Sequence, residues 1–262
     1  PALDFTPSST TTYYLEIGED QDRGYGTYVL AASELSSDDY GHTPETAGKL
    51  AIEGTISGEI EIEGDKDWFE VQLTAGTLYV FELGGEESNS GTLQQSELYL
   101  YNAEGVYVNG VGNTIENGYD PGFQFLAEES GTFYLQAQGY RMGPRDLGTY
   151  TGTYTVHARH DDFGNQYQGQ FGQLAIGSSI TGELEADWDT DLFEVQLVSE
   201  EHYVFNLRGE DTGGGTLLKP VLVLMDSDYN YITQVSDSEG NGKDPLISFS
   251  PTETGSYFLM SR

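Results

Sequence analysis

The chain has 262 residues, enough for one large or two medium domains, and 37% of them are apolar, so it can fill hydrophobic cores. Its 44 acidic and 10 basic residues give a formal charge of −34, which argues against nucleic acid and anionic membrane surfaces as partners. Cysteine is absent, so disulfides and thiol chemistry are excluded.

The sequence predicts short β-strands throughout. Phe69, Val71 and Leu73 alternate with polar residues, which is the period of a half-buried strand. Other runs are rich in aromatic and β-branched residues and are bounded by turn formers. In chain order these runs are TLYVFEL (77–83), SELYLYN (96–102), GFQFL (122–126), GTFYLQAQ (131–138) and YTGTYTVHA (150–158).

The chain repeats itself at an offset of 124 residues. GDKDWFEVQL (64–73) returns as WDTDLFEVQL (188–197), and GEIE (58–61) returns as GELE (182–185). The register still holds at SGTFYL (130–135), which returns as TGSYFL (254–259). A third copy is partial: GYGTYVLAA (24–32) matches YTGTYTVHA (150–158).

The strand runs and these matches predict an all-β protein made of tandem antiparallel β-sandwiches, with the first and last repeat incomplete. Residues 1–37 are predicted to be the C-terminal part of a preceding repeat. Residues 38–160 are predicted to be a complete sandwich, and 161–262 a sandwich without its final strand. We therefore expect the chain to be part of a longer protein and to leave one sheet edge open to a strand from a neighbouring repeat.

The order DDYGHTPETA, GDKDWFEVQL, SGTFYL and GTYT resembles the bacterial pre-peptidase C-terminal domain family, in the version found in large secreted calcium-dependent proteins of the RTX type. The resemblance implies a jelly-roll-like sandwich, secretion, and an accessory role beside proteases, adhesins or other exoproteins. Two departures occur in the last repeat, where Ser199-Glu200-Glu201 replaces an Ala-Gly turn and Leu192 replaces Trp68.

Each repeat carries a pair of aspartates, for which a tight turn, a metal site, a catalytic dyad and an acidic surface are alternative interpretations. Each repeat also begins with two adjacent aspartates. Calcium takes six to eight oxygen ligands with irregular geometry, whereas magnesium fits less well. The resemblance implies calcium between linker and turn. The candidate ligands are Asp38, Asp39, Asp65, Asp67, Asp161, Asp162, Asn165, Asp189 and Asp191.

A weaker candidate ion site lies in MDSDYNYITQVSDSEGNGKD (225–244), where a turn is the favoured interpretation. Its acidic residues are Asp226, Asp228, Asp237 and Asp244. No HExxH or GxSxG motif occurs, so we predict that the chain is not an enzyme.

Two functions remain open. The first is a non-catalytic, calcium-stabilised extender or surface-assembly module of a secreted bacterial protein, in the manner of an adhesin or a head-to-tail filament. Its partners would be neighbouring repeats of the same or another copy. The second is an accessory domain of a secreted hydrolase that binds a glycan or matrix protein through outward-facing tyrosines. The candidate tyrosines are Tyr99, Tyr101, Tyr107, Tyr119 and Tyr140.

Overall fold

The computed structural model describes residues 9–16, 27, 29–30, 38–112, 120–140, 150–167, 169–186, 189–236 and 244–262. The chain divides into two compact units, Pro1–Leu35 and Ser36–Arg262. In the first unit, none of the described residues belongs to a strand, and Val29 and Leu30 are exposed. The repeat boundaries at 37/38 and 160/161 stay a prediction.

The second unit is built of strands, which confirms the all-β prediction. In the described residues its only helical element is a 3₁₀ turn at Pro44–Thr46, and no helix has the length and hydropathy of a membrane span. The strands are β1 (Gly48–Lys49), β2 (Gly54–Ile60), β3 (Lys66–Leu73), β4 (Leu78–Gly84), β5 (Ser96–Asn102), β6 (Tyr107–Val111), β7 (Gly122–Leu126), β8 (Gly131–Gly139), β9 (Gly152–His160), β10 (Gly172–Gln173), β11 (Asp191–Leu197), β12 (Tyr203–Asn206), β13 (Val221–Met225), β14 (Tyr231–Ser236), β15 (Leu246–Phe249) and β16 (Gly255–Ser261).

The first sandwich, β1 to β9, consists of a five-stranded sheet in the order β1-β3-β8-β5-β6 and a four-stranded sheet in the order β2-β9-β4-β7. Their inner faces share one core, to which β3 contributes Phe69, Val71 and Leu73 as the alternation predicts. Fully buried Tyr154 joins this core from β9.

The second sandwich, β10 to β16, repeats the larger sheet as β10-β11-β16-β13-β14. Its smaller sheet has only β12 and β15 in the described residues. Residues 181–185 form no strand, although GELE (182–185) matches GEIE in β2. The reason is that β2 pairs with β9, and no described strand takes the place of β9 in the second sandwich.

One detail departs from the antiparallel prediction. The two-residue strands β1 and β10 pair in parallel with β3 and β11, through Gly48 opposite Phe69 and Gly172 opposite Phe193. These short pairs fix the linker that precedes each sandwich against its larger sheet. The remaining strand pairs are antiparallel.

Candidate metal centres at the two aspartate turns

The first acidic cluster forms where the linker before the first sandwich meets the turn between β2 and β3. Side-chain oxygens of Asp38, Asp39 and Asp67 lie within 4.8 Å of one another, and so do those of Asp38, Glu61 and Asp65. All four aspartates predicted for this repeat are therefore brought together. Oxygens that share an ion at about 2.4 Å lie at most about 4.8 Å apart, so these spacings suit calcium.

Backbone amides hold this cluster in shape. Asp39 Oδ2 accepts a hydrogen bond from the Glu59 amide at 3.1 Å, and Glu61 Oε1 accepts one from the Asp39 amide at 3.1 Å. Asp65 Oδ1 accepts from the Lys66 amide at 2.7 Å, which is the local bond expected of an aspartate in a turn. The turn interpretation thus accounts for Asp65 but leaves Asp67 to be explained.

Asp67 is fully buried at the start of β3. Its Oδ2 accepts a hydrogen bond from the Tyr154 hydroxyl, while its Oδ1 has no hydrogen-bond partner in the described residues. Burial, together with the nearby carboxylates of Asp65 and Asp39, raises the pKa of Asp67 to about 8. A buried carboxylate oxygen without a partner is costly unless a cation or a proton neutralises it.

The second acidic cluster has the same construction. Side-chain oxygens of Asp161, Asp162 and Asp191 lie within 4.8 Å of one another, as do those of Asp161, Glu185 and Asp189. Asp162 Oδ2 accepts from the Glu183 amide at 3.1 Å, just as Asp39 accepts from Glu59 in the first repeat.

Burial also raises the pKa values of carboxyl groups in the second cluster. The pKa of Asp191 rises to about 9 and that of Asp161 to about 7, with neighbouring carboxylates adding to both shifts. Burial and the adjoining Asp189 carboxylate also raise the pKa of Glu185, to about 9. Asp191 Oδ1 is buried and without a hydrogen-bond partner in the described residues, as Asp67 Oδ1 is in the first cluster.

The second cluster is also the joint between the sandwiches. Gln124, which lies on β7 of the first sandwich, donates from Nε2 to Asp161 Oδ2 and to Asp189 Oδ1, both at 2.6 Å. Arg159, near the end of β9, donates from Nη1 to the Glu185 carbonyl oxygen at 2.8 Å. The shape of this cluster therefore depends on both sandwiches.

Asn165 does not join the grouped ligand atoms. Its Nδ2 donates to Gln124 Oε1, and its Oδ1 accepts from the Tyr167 amide at 2.9 Å. Its position supports the joint through Gln124 rather than facing the grouped carboxylates. Asn165 as a metal ligand stays a prediction.

The weaker candidate site does not assemble in the described residues. Asp226 accepts from the Asp228 and Asn230 amides, each at 2.9 Å, which closes the turn between β13 and β14. Asp244 instead accepts from the Gly209 amide at 2.9 Å. Asp237 lies outside the described residues, and the others form no grouped site with one another.

Sequence reasoning missed four residues of the two clusters: Glu61, Glu185, Gln124 and Tyr154. Glu61 and Glu185 end the matching segments GEIE and GELE, so the repeat itself was the available signal. Gln124 and Tyr154 carried no local signal, because their strands are distant in sequence from the aspartate turns.

No protein-family model and no curated protein sequence matches the chain. Among solved structures, it is similar to the pre-peptidase C-terminal domain of collagenase from Bacillus anthracis, at 20% identity and a TM-score of 0.33, over 45% of this chain and 98% of that one. It is also similar to the CUB1-EGF-CUB2 domains of rat MASP-1, at 7% identity and a TM-score of 0.26, over 82% of this chain and 99% of that one. Similarities of this size do not assign a family.

Proposed function

We propose that this chain is a non-catalytic structural and interaction module of a large secreted bacterial protein, in which calcium clamps each linker onto its sandwich. The observation that carries the proposal is the unpartnered, buried carboxylate oxygen in each acidic cluster, on Asp67 and on Asp191. A divalent cation would supply the missing electrostatic partner in both places.

The chemistry of the donors supports calcium over other metals. Five carboxylates surround the first site, and in the described residues the grouped ligands include neither histidine nor any other nitrogen donor. Hard oxygen ligands in an irregular arrangement suit calcium, while zinc and copper favour nitrogen or sulfur. Asp38, Asp39, Glu61, Asp65 and Asp67 would hold the ion in the first cluster, and Asp161, Asp162, Glu185, Asp189 and Asp191 in the second.

Binding in the second cluster would stiffen the joint between sandwiches. An ion held by Asp161 and Asp189 would fix the two carboxylates to which Gln124 donates, and thereby fix β7 of the first sandwich. The high negative charge of the chain would at the same time be partly neutralised. A rigid chain of sandwiches is what an extender of a surface or secreted protein requires.

The test is thermal unfolding of the parent chain in calcium and in chelator at matched ionic strength. With calcium at about 100 times its dissociation constant, we expect stabilisation by roughly 2.7 kcal/mol per site that the unfolded chain lacks. Asp67→Asn and Asp191→Asn should each remove the increment of their own cluster. Glu253→Gln, an exposed change of the same charge, is the control and should keep both increments. Identical melting of the parent chain in calcium and chelator would refute calcium binding.

A second candidate function rests on the outer face of the larger sheet in the first sandwich. Trp68 and Tyr101 stack there with ring centres 4.9 Å apart, and half-exposed Tyr107 packs edge-on against Tyr101 at 6.1 Å. Such an aromatic face with polar neighbours suits stacking on a sugar ring. Of the other predicted tyrosines, Tyr99 lies on the same face, Tyr140 is half-buried after β8, and Tyr119 lies outside the described residues.

The matched variants for this second candidate are Tyr107→Ala and Tyr231→Ala. Tyr231 occupies the equivalent position on β14, but the outer face of that sheet is a packed apolar cluster that includes Leu192 and Phe258. If the aromatic face binds a glycan, a glycan array should lose its signal with Tyr107→Ala and keep it with Tyr231→Ala. Equal signals from both variants would exclude this face.

A further inference from the structure

The two sandwiches differ most at the place of β9. In the first sandwich, β9 lies between β2 and β4, with Ala158 opposite both Gly54 and Phe81. In the second sandwich, β12 pairs only with β15 in the described residues, and one backbone edge of β12 is left without a partner strand. Val204 on this strand is exposed, whereas the equivalent Val80 is buried.

The second sandwich nevertheless keeps a glycine that makes room for β9. At Gly58, an added Cβ would lie 2.4 Å from the Tyr154 hydroxyl, but at the equivalent Gly182 it would lie 2.7 Å from Asp191 Oδ2, so Gly182 has a local reason of its own. At Gly91, an added Cβ would lie 2.0 Å from the carbonyl oxygen of Thr153 on β9. The equivalent Gly215 meets no atom closer than Arg208 O, at 3.5 Å, so its own surroundings do not require glycine.

The second sandwich also keeps the acceptor for a tyrosine. In the first sandwich, the Tyr154 hydroxyl of β9 donates to buried Asp67. The equivalent Asp191 is 2% exposed, and its Oδ1 has no hydrogen-bond partner in the described residues. Asp67 can accept the hydrogen bond of Tyr154 with one carboxylate oxygen and bind an ion with the other. Asp191 can use its two oxygens in the same way.

One segment of the chain has the side chains that a strand in the position of β9 requires. GYGTYVLAA (24–32) matches YTGTYTVHA (150–158) position by position. Gly26 stands for Gly152, which has a φ of +140° and where an added Cβ would lie 2.7 Å from Thr92 Oγ1. Tyr28, Leu30 and Ala32 stand for the inward-facing residues Tyr154, Val156 and Ala158. In the structure Val29 is 94% exposed and Leu30 is 59% exposed.

We propose that Gly26–Ala32 of a second copy of this chain adds as a strand between residues 178–184 and β12, and that its Tyr28 hydroxyl donates to Asp191. The register follows from the first sandwich, with Ala32 opposite Phe205 and Leu30 opposite Leu207. Strand addition satisfies the open backbone groups of β12, and the alternate side chains complete the core. The contact is head-to-tail, so it propagates as a chain of molecules unless it closes into a ring.

The donor side is tested by measuring the mass of the full chain in solution over a range of concentrations. The mass of the parent chain should exceed that of a monomer as its concentration rises. The Val29→Pro chain should remain monomeric, because proline removes a backbone hydrogen-bond donor from the donated strand. Leu15→Pro is the control, since Leu15 is exposed and lies outside the donated segment. Tyr28→Phe should weaken association about ten-fold or more, as expected for loss of a hydrogen bond to a charged group.

The acceptor side is tested with Gly215→Ala. The structure has space for this methyl group, so the monomer should fold and melt as the parent does in dilute solution, yet the incoming strand should be blocked. A synthetic peptide of residues 24–32 should bind the Val29→Pro chain and fail to bind the same chain carrying Gly215→Ala.

Three results would overturn the proposal. The first is a parent chain that stays monomeric at every concentration and ignores the peptide. The second is association that Gly215→Ala leaves unchanged. The third is a monomeric parent in which Val29→Pro lowers the melting of the second sandwich, because this would mean that each chain donates the strand to itself.

Discussion

The first and second sandwiches match in sequence at an offset of 124 residues, but in the described residues only the first has a β9. Gly58–Ile60 of GEIE lie in β2, whereas GELE of the second repeat forms no strand, although both segments alternate in the same way. Ile60 at the end of β2 is fully buried, while the equivalent Leu184 is half-buried. The comparison teaches that this segment becomes a strand only when β9 or its equivalent supplies hydrogen bonds and covers the core.

A second difference lies on the outer faces of the larger sheets. In the first sandwich this face is polar and aromatic, with Trp68 stacked on Tyr101. In the second it is an aliphatic and aromatic cluster that includes Leu192 and Phe258, covered by Phe171 and Tyr229. The replacement of Trp68 by Leu192 is therefore one part of a wholly different surface.

Trp68 on β3 gives the first sandwich its own fluorescent reporter, since the other tryptophan of the sequence is Trp188. In a Trp188→Phe background the emission follows the first sandwich, and far-UV circular dichroism of the same variant follows all strands together. The two readings separate effects on the first sandwich from effects elsewhere.

The largest expected effect comes from removing the side chain that joins β9 to the acidic cluster. Tyr154→Ala should destabilise the first sandwich by about 3–5 kcal/mol, because it leaves a cavity beside Phe69 and deprives buried Asp67 of its donor. Unfolding in the Trp188→Phe background measures this. Tyr231→Ala, on the exposed side of β14, should stay within about 0.5 kcal/mol. An unchanged Trp68 transition beside a shifted circular dichroism transition would contradict the assignment of Tyr154 to the first core.

The next largest effect on stability is expected at a matched pair of glycines, Gly91 and Gly215. Gly91→Ala should destabilise the first sandwich by about 1–3 kcal/mol, because the new methyl group would press on the Thr153 carbonyl. Gly215→Ala should be neutral in dilute solution, where no strand lies against it. Urea unfolding of both variants measures the difference. Equal costs at the two glycines would mean that the place of β9 is filled in the second sandwich as well.

Shortening a side chain on the outer face of a larger sheet should have a somewhat smaller effect on stability. Phe171→Ala should destabilise the second sandwich by about 2 kcal/mol, since the ring is partly buried against Phe258 at 5.3 Å. Tyr107→Ala, on the more open face of the first sandwich, should cost well under about 1 kcal/mol. The two costs are compared by thermal unfolding followed by circular dichroism, and the reverse order would show that the apolar outer face of the second sandwich is not a packed core.

The smallest expected effect is on the pH dependence of the stability of the first sandwich. Burial lowers the pKa of His157 on β9 below its ordinary 6.5, and Arg159 lowers it further. A lowered histidine pKa contributes stability above pH 6.5 that is lost as the pH falls through the folded-state value. The stability difference between the parent and His157→Gln should therefore shrink on acidification, in the first sandwich only. His42→Gln, at an exposed histidine, is the control for the substitution itself.

Much of the architecture was predictable from sequence, because the strand period and the turn formers are local signals. The alternation at Phe69, Val71 and Leu73 predicted a strand face that packs into the core. The 124-residue offset predicted the same face at Phe193, Val195 and Leu197, and both sets lie in hydrophobic cores. The adjacent aspartates of each linker were also expected near the turn, and the structure places their oxygens together. Whether those oxygens hold calcium stays a prediction.

The sequence by itself determined the repeat, the all-β class and which aspartates recur. Only the tertiary structure decided that Tyr154 and Gln124 reach the acidic clusters, and that residues 181–185 form no strand. The physical reason is that these outcomes depend on hydrogen bonds between segments far apart in the chain. Alternation specifies which face of a strand is apolar, but the strand forms only when a partner satisfies its backbone.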